Sequence, residues 1–233
     1  FMSSFTFKQF HINQQHCAMK VGTDGILLGA WADVSDCQYI LDMGTGTGLV
    51  ALMLAQRSHD HCQIKAVELD PLAAQQAEEN FKASPWHNRL YLTHQDVQTY
   101  CQQTTHQFDL IVANPPYFAQ GVECKNDERS LARYIQQSHL DWLNWAASCL
   151  SEKGKISFVL PYEAGKTLIN STALYCIKQT DVITKIGKVP QRMLLTFSRE
   201  HLLQVKDRLV IYDDNNRYTA AFITLTQNFY LHF

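Results

Sequence analysis

The sequence predicts an α/β fold: a doubly wound, Rossmann-like sheet over residues 39–233, preceded by an N-terminal arm and short helix over 1–38 that pack on its core. Three observations carry this. Short runs rich in Ile, Val and Leu alternate with helical stretches, as strands covered on both faces require. A glycine-dense turn, Gly44-Thr-Gly46-Thr-Gly48, joins the run Tyr39–Met43 directly to the helical Leu49–Gln56. Another run, Phe108–Ala113, stops at Asn114-Pro115-Pro116-Tyr117, because each proline lacks the N–H that would continue a ladder.

In chain order, residues 5–20 mix aromatics, His and Gln without a clear period and read as an arm or short strand pair against the core. Thr23 or Asp24 then caps a short apolar helix reaching Trp31, whose small, polar entrance suits the charged end of a ligand. Tyr39–Met43 is a buried strand, and the glycines after it let the backbone approach a ligand closely with a helix N-terminus behind it. The dinucleotide fingerprint is incomplete, since Leu49 stands where a third glycine belongs. Asp42 at the strand end repels a pyrophosphate but suits a cation, such as a sulfonium with an amino-acid tail. Ile64–Glu68 is a second strand, ending in a carboxylate about 20 residues past the glycines, the separation at which an acid reaches ribose hydroxyls.

Pro71 opens a helix through about Phe81. Leu90–His94 is the third strand, and Asp96 beyond it meets an adenine amino group or simply caps a helix. The fourth, Phe108–Ala113, delivers Asn114 to the same carboxyl edge on the far side of the glycine turn, the crevice where open α/β sheets bind ligands. A polar loop, 121–133, carries Lys125, Arg129 and Arg133, and the helix His139–Leu150 packs Trp142 and Trp145 on the sheet. A fifth strand, Ile156–Leu160, ends at Pro161; a helix near 163–175, strands near 180–186, 192–198 and 207–212, and a last helix over 218–228 complete the chain.

The chemistry gathers at Asn114. A residue before proline is pushed out of the α region, so Asn114 and Pro115 are held extended with their oxygens facing out of the sheet edge. Tyr117 and Phe118 add flat faces, and the corner suits a planar molecule bearing NH₂: adenine, cytosine or a carboxamide. Accepting the two N–H hydrogens on the Asn114 side-chain oxygen and the Pro115 carbonyl favours a pyramidal nitrogen and aims its lone pair at an electrophile. No general base is needed first, because the amine loses its proton after transfer. A lone Asn-Pro-Pro is as often a plain strand-ending turn. Three successive strand ends carrying Asp42, Glu68 and Asp96, with the glycine turn among them, weigh against that.

Composition is that of a soluble, cytoplasmic protein with one core, 233 residues long with 46% hydrophobic and 18% charged residues. Seven cysteines are scattered singly, which points to a reducing compartment and away from a metal site. No run is long enough to span a membrane, and a monomer is expected. The net charge of −2 hides an asymmetry: residues 1–150 carry 9 Lys+Arg against 15 Asp+Glu, and residues 151–233 carry 11 against 7. A basic C-terminal part with Lys185, Lys188 and Arg192 supplies a phosphate-facing surface.

Asp42-Met-Gly44-Thr-Gly46-Thr-Gly48 resembles the motif of class I S-adenosylmethionine-dependent methyltransferases, and Asn114-Pro-Pro-Tyr117 that of their amino-group methylases. Four segments, Phe5–Phe10, Cys17–Trp31, Asn114–Glu123 and Leu225–Leu231, resemble the bacterial valine-tRNA adenine-N6 methyltransferase family, so the likeness spans nearly the whole chain. That resemblance implies a mostly parallel sheet with an antiparallel strand, and methylation of the adenosine 3′ of the anticodon in valine tRNA from S-adenosyl-L-methionine. It assigns Gly44, Gly46 and Gly48 to the methionine part, Glu68 to ribose, Asp96 to adenine, Asn114 to Tyr117 to the target base, and more weakly Thr23 to the amino-acid end. Tyr117 suits the stacking by which RNA bases are held.

Competing readings are glutamine methylation of release factors, whose family shares Asn-Pro-Pro-Tyr, DNA adenine methylation, and a cofactor- or RNA-binding module without catalysis. Only about 38 residues precede the first strand, too few for the helical N-terminal domain of the first. DNA methylation needs a target-recognition domain that this length hardly permits, and an intact Asn114 speaks against the last.

Overall fold

The computed structural model describes residues 4–15, 20–116 and 138–232. In chain order the elements are β1 (Ser4–Thr6), β2 (His11–Asn13), α1 (Thr23–Trp31), β3 (Tyr39–Met43), α2 (Leu49–Arg57), β4 (Gln63–Glu68), α3 (Pro71–Lys82), β5 (Leu90–His94), α4 (Val97–Gln103), β6 (Phe108–Ala113), α5 (His139–Ser148), β7 (Leu150–Pro161), α6 (Tyr162–Ser171), β8 (Tyr175–Lys185), β9 (Arg192–Ser198), β10 (Val205–Tyr212) and α7 (Ala220–Thr226).

Strands β3 to β10 form one sheet in the order β10-β8-β9-β7-β6-β3-β4-β5. Every neighbouring pair runs parallel except the two involving β9, which is antiparallel to β7 and β8. Both faces of the sheet's centre are covered, which is why β3 and β6 are apolar at consecutive positions rather than alternate ones. Ile40, Leu110 and Val112 pack with Leu27 of α1, Leu52 of α2 and Phe222 of α7. Their chain neighbours Leu41, Ile111 and Ala113 turn to the other face, against Cys101 of α4, Trp142 of α5 and Leu168 of α6.

From β3 the chain first builds β4 and β5 on one side and then crosses to β6 on the other. The carboxyl ends of β3 and β6 therefore flank the switch point, where a crevice opens. β1 and β2 pair antiparallel, and Phe7, Phe10 and Ile12 of this arm are buried in the α1–α2 layer. The Lys8 N–H donates to the Phe229 carbonyl at 2.8 Å and Lys8 Nζ to the Gln227 carbonyl at 2.7 Å, joining the arm to the chain's other end.

Several elements differ from the sequence expectation, and two strands are longer: β7 begins at Leu150 rather than Ile156 and β8 at Tyr175 rather than near 180. Helix α1 is capped by Gly22 with no side-chain bond, not by Thr23 or Asp24, because Asp24 is engaged with Arg192 across the molecule. Helix α4 was foreseen only as the alternative in which Asp96 caps a helix, and it is present: Asp96 starts it by accepting from the Thr99 amide at 3.0 Å. Helix α6 stops at Ser171 rather than near 175, since Tyr175 and Cys176 pair with Ser198 and Phe197 of β9 and belong to the sheet. Among the described residues no helix is long and apolar enough to cross a membrane.

Candidate active site

The turn after β3 is built on backbone that side chains resist: Gly46 and Gly48 have φ of 57° and 84°. Two acids hold it. Asp42 Oδ2 accepts from the Thr45 hydroxyl at 2.6 Å and the Ala51 amide at 3.2 Å, tying strand end, turn and α2 together. Glu68 Oε2 accepts from the Gly46 amide at 2.8 Å, while Oε1 accepts from the Leu69 and Asp70 amides, both at 2.9 Å. Burial raises the Asp42 carboxyl to about 7, the bonds from Thr45 and Ala51 pulling it down and the neighbouring Glu68 adding to the rise.

A cleft of about 370 Å³ opens at the switch point. Its walls are the entrance to α1 from Lys20 to Gly25, the turn from Gly44 to Thr47 with Asp42, the corner Asn114-Pro115-Pro116, and Arg192. Met43 and Ala113 are register partners, so Gly44 and Asn114 leave adjacent parallel strands about 4.8 Å apart. The glycine turn and the Asn-Pro-Pro corner thus share one cavity, as the sequence implied.

The turn's glycines divide their work. A Cβ on Gly46 would meet nothing within 4 Å, so its small size leaves room at the cleft wall. A Cβ on Gly48 would sit 2.5 Å from Phe81 Cε1, so that glycine serves packing. The cleft also meets the N-terminal turn of α1, whose cap Gly22 brings no side chain to its amides. Such amides favour an anionic group, and Asp42 across the cleft favours a cationic one. An open wall at Gly46 between an anion-favouring and a cation-favouring end fits the zwitterionic amino-acid part of S-adenosylmethionine.

Glu68 and Asp96 stand on the same carboxyl edge but outside that cleft's walls. A carboxylate offers about four acceptor positions, and the three amides on Glu68 leave it one for a ribose hydroxyl. Asp96 Oδ1 is used by the α4 cap, taking the Thr99 amide and hydroxyl. Tyr117, Phe118, Lys125, Arg129 and Arg133 lie outside the described residues.

Asn80 and His139 escaped sequence reasoning; Arg192, expected on a phosphate-facing surface, is instead paired at the cleft wall, and Trp142, expected to pack on the sheet, also backs the glycine turn. Asn80 of α3, 1% exposed, donates to the Thr47 and Asn13 carbonyls at 2.8 and 2.9 Å and accepts from the Asn13 amide at 2.9 Å, clasping the arm to the glycine turn. An Asn on the buried stripe of a helix was its only signal. Arg192 Nε donates to Asp24 Oδ2 at 2.9 Å, joining β9 to α1 at the cleft wall. Burial pushes the His139 imidazole below its ordinary pKa, and the bond that a ring N–H donates to the Pro116 carbonyl offsets this only in part. Trp142 lies beneath Gly44, 3.1 Å from where a Cβ would be.

Residues 20–173 match the family described as Methyltransferase small domain. A tRNA1(Val) (adenine(37)-N6)-methyltransferase from Haemophilus influenzae (strain ATCC 51907 / DSM 11121 / KW20 / Rd) is 70% identical over 232 residues, covering 100% of each chain. One of the same description from Pasteurella multocida (strain Pm70) is 60% identical, covering 99% of this chain and 98% of its own. The solved structure of a predicted O-methyltransferase from Agrobacterium tumefaciens superposes with a TM-score of 0.69 at 18% identity, covering 88% of this chain and 96% of that one, a likeness of fold alone.

Proposed function

The chain belongs to the methyltransferase small domain family and, through its full-length relatives, to the tRNA1(Val) (adenine(37)-N6)-methyltransferases; from this premise we propose that it methylates N6 of adenosine 37 in valine tRNA. The observation that carries the reading is the placement of Asn114 and the glycine turn on adjacent strand ends around one cleft. S-adenosyl-L-methionine, when bound, supplies an electrophilic methyl group on a sulfonium.

The α1 amides and Asp42 hold its amino-acid end, with Thr23 at the rim; Gly46 gives it room, and Gly44 and Gly48 shape the turn from behind, against Trp142 and Phe81. Glu68 takes one ribose hydroxyl, and Asp96, one strand further along the edge, the adenine amine. Asn114 Oδ1 and the Pro115 carbonyl accept the two hydrogens of the substrate N6, which draws its lone pair out of conjugation and fixes its direction. Pro115 and Pro116 hold that corner extended, and the His139 bond to the Pro116 carbonyl keeps it in place. The proton of the methylated amine leaves to solvent. Tyr117 stacks on the adenine, and the tRNA phosphates meet the basic C-terminal part.

The test offers whole valine tRNA, its anticodon stem-loop and a release factor to one preparation with isotope-labelled cofactor, followed by nucleoside and peptide mass spectrometry. N6-methyladenosine in the tRNA is the expected product. Label in the release factor alone would overturn the reading.

A further inference from the structure

A second cavity of about 160 Å³ adjoins the first and shares Thr23, Asp24 and Arg192 with it. It lies beside the carboxyl ends of β8 and β10, at the sheet edge that carries Asn114. Its wall is aromatic. Tyr218 stacks on Tyr212 at 4.9 Å and 22° and on Phe222 at 4.8 Å and 23°, and Tyr230 borders the same column. Phe222 is the buried inner end at 1% exposure, whereas Tyr218 is 36% exposed. Thr184 and Gln191 give the opposite side polar edges. The volume is about half the lower end of the range that holds whole drug-sized ligands, which is the scale of a single planar ring.

The surroundings are cationic on one side. The turn between β8 and β9 presents Lys188 exposed, and Lys185 bonds the neutral Asn216 at 2.8 Å, which leaves its charge uncompensated by that contact. The β10–α7 turn contributes Arg217, together with Asp213 and Asp214. Asp213 is spent inside the turn, accepting from the Asn215 and Arg217 amides and pairing with Arg217 at 3.8 Å. Phosphates are therefore met from the β8–β9 side.

We propose that this cavity is a nucleobase subsite, in which a nucleotide neighbouring the target adenosine stacks on the Tyr212–Tyr218 column while its backbone runs past Lys185 and Lys188. The inference rests on the tRNA reading above. A ring cavity continuous with the methylation cleft and rimmed by lysines matches an unstacked RNA strand, whose bases are held by aromatic faces and whose backbone follows cations.

Valine tRNA carrying an abasic ribose at each position within about two nucleotides of adenosine 37 tests this. With the unaltered protein, one position should lower kcat/KM roughly 5- to 150-fold, the scale of base–aromatic stacking. In the double variant Tyr212→Leu, Tyr218→Leu that abasic change should cost less than about 2-fold, while Tyr218→Phe keeps the full sensitivity and cofactor affinity by calorimetry is unaltered. 2-Aminopurine at the sensitive position of the tRNA reports on the unaltered protein without any variant: stacking keeps its emission quenched on binding. Overturning results are insensitivity to every abasic position, losses that multiply fully with those of the leucine variant, or a rise in 2-aminopurine emission on binding. Intact tRNA that is still methylated in those cases leaves the proposed function standing. Intact tRNA that gains no methyl group removes both.

Discussion

Gly46 and Gly48, two residues apart in one turn, should fail in opposite ways when given a side chain. Both lie at positive φ, so alanine at either position costs about 1–2 kcal/mol in left-handed backbone. At Gly46 the new Cβ meets nothing within 4 Å and no further cost arises. At Gly48 it lands 2.5 Å from the buried Phe81 ring and adds overpacking of about 1–3 kcal/mol, so about 2–5 kcal/mol is lost in all. Cofactor binding should rank the other way, because the space at Gly46 is the space the ligand takes. Gly46→Val should abolish calorimetric binding of S-adenosylmethionine, and Gly48→Ala, held below its melting temperature, should keep affinity within a few-fold. Urea denaturation of the two alanine variants supplies the stabilities. Wild-type affinity in Gly46→Val, or a Gly48→Ala protein no less stable than Gly46→Ala, would refute the reasoning.

Asn114→Ala should leave cofactor affinity within a few-fold while single-turnover methyl transfer falls roughly 100-fold or more, as when one preorganised polar group is removed; a rate near that of the wild type would sink the assignment. Burial lifts the Asp42 carboxyl from 3.8 to about 7, so its contribution to stability is whole below about pH 4 and is lost as pH rises through about 7, at roughly 1.4 kcal/mol per unit. Asp42→Asn removes that titration, and melting curves across the window should show the wild type losing ground to the variant as pH rises; a constant gap contradicts the buried acid. Neutralising Lys185 and Lys188, with Lys125, Arg129 and Arg133, should flatten the salt dependence of tRNA binding by about 0.7–0.9 in log–log slope for each phosphate no longer neutralised. Filter binding over a salt series measures it, and an unaltered slope places the phosphates elsewhere.

The centre of the sheet was legible because β3, β6 and the second half of β7 are buried on both faces, which makes each a nearly continuous apolar run that stops at a glycine or a proline. The corner at Asn114 was legible for a similar reason: two prolines dictate backbone conformation without help from the rest of the chain. What escaped are groups whose role depends on tertiary neighbours. Asn80 and Asn13 are 67 residues apart, and Arg192 and Asp24 168 apart; no local pattern marks either pair. Helix α4 was legible only at its cap, Asp96, because its seven residues bury only Val97 and Cys101, too few to set a period and so its extent. Asp24 was misread as a cap because its type suits that position, while its charge was claimed by an arginine from the other end of the sequence.

The acids at the strand ends show why legible and hidden roles coincide. A turn with left-handed glycines has little conformational preference of its own, since glycine loses the most freedom on ordering. Something must hold it open before a ligand arrives. The Gly44 and Thr45 amides donate to the Val67 carbonyl at 2.9 and 3.0 Å, Glu68 fixes the Gly46 amide, Asp42 fixes the Thr45 hydroxyl, and Asn80 fixes the Thr47 carbonyl. The side chains that a sequence reading assigns to the ligand are thus spent first on the turn. This ordering is what lets Gly46 present an open wall: a loop already ordered by folding does not have to be ordered again when the cofactor binds.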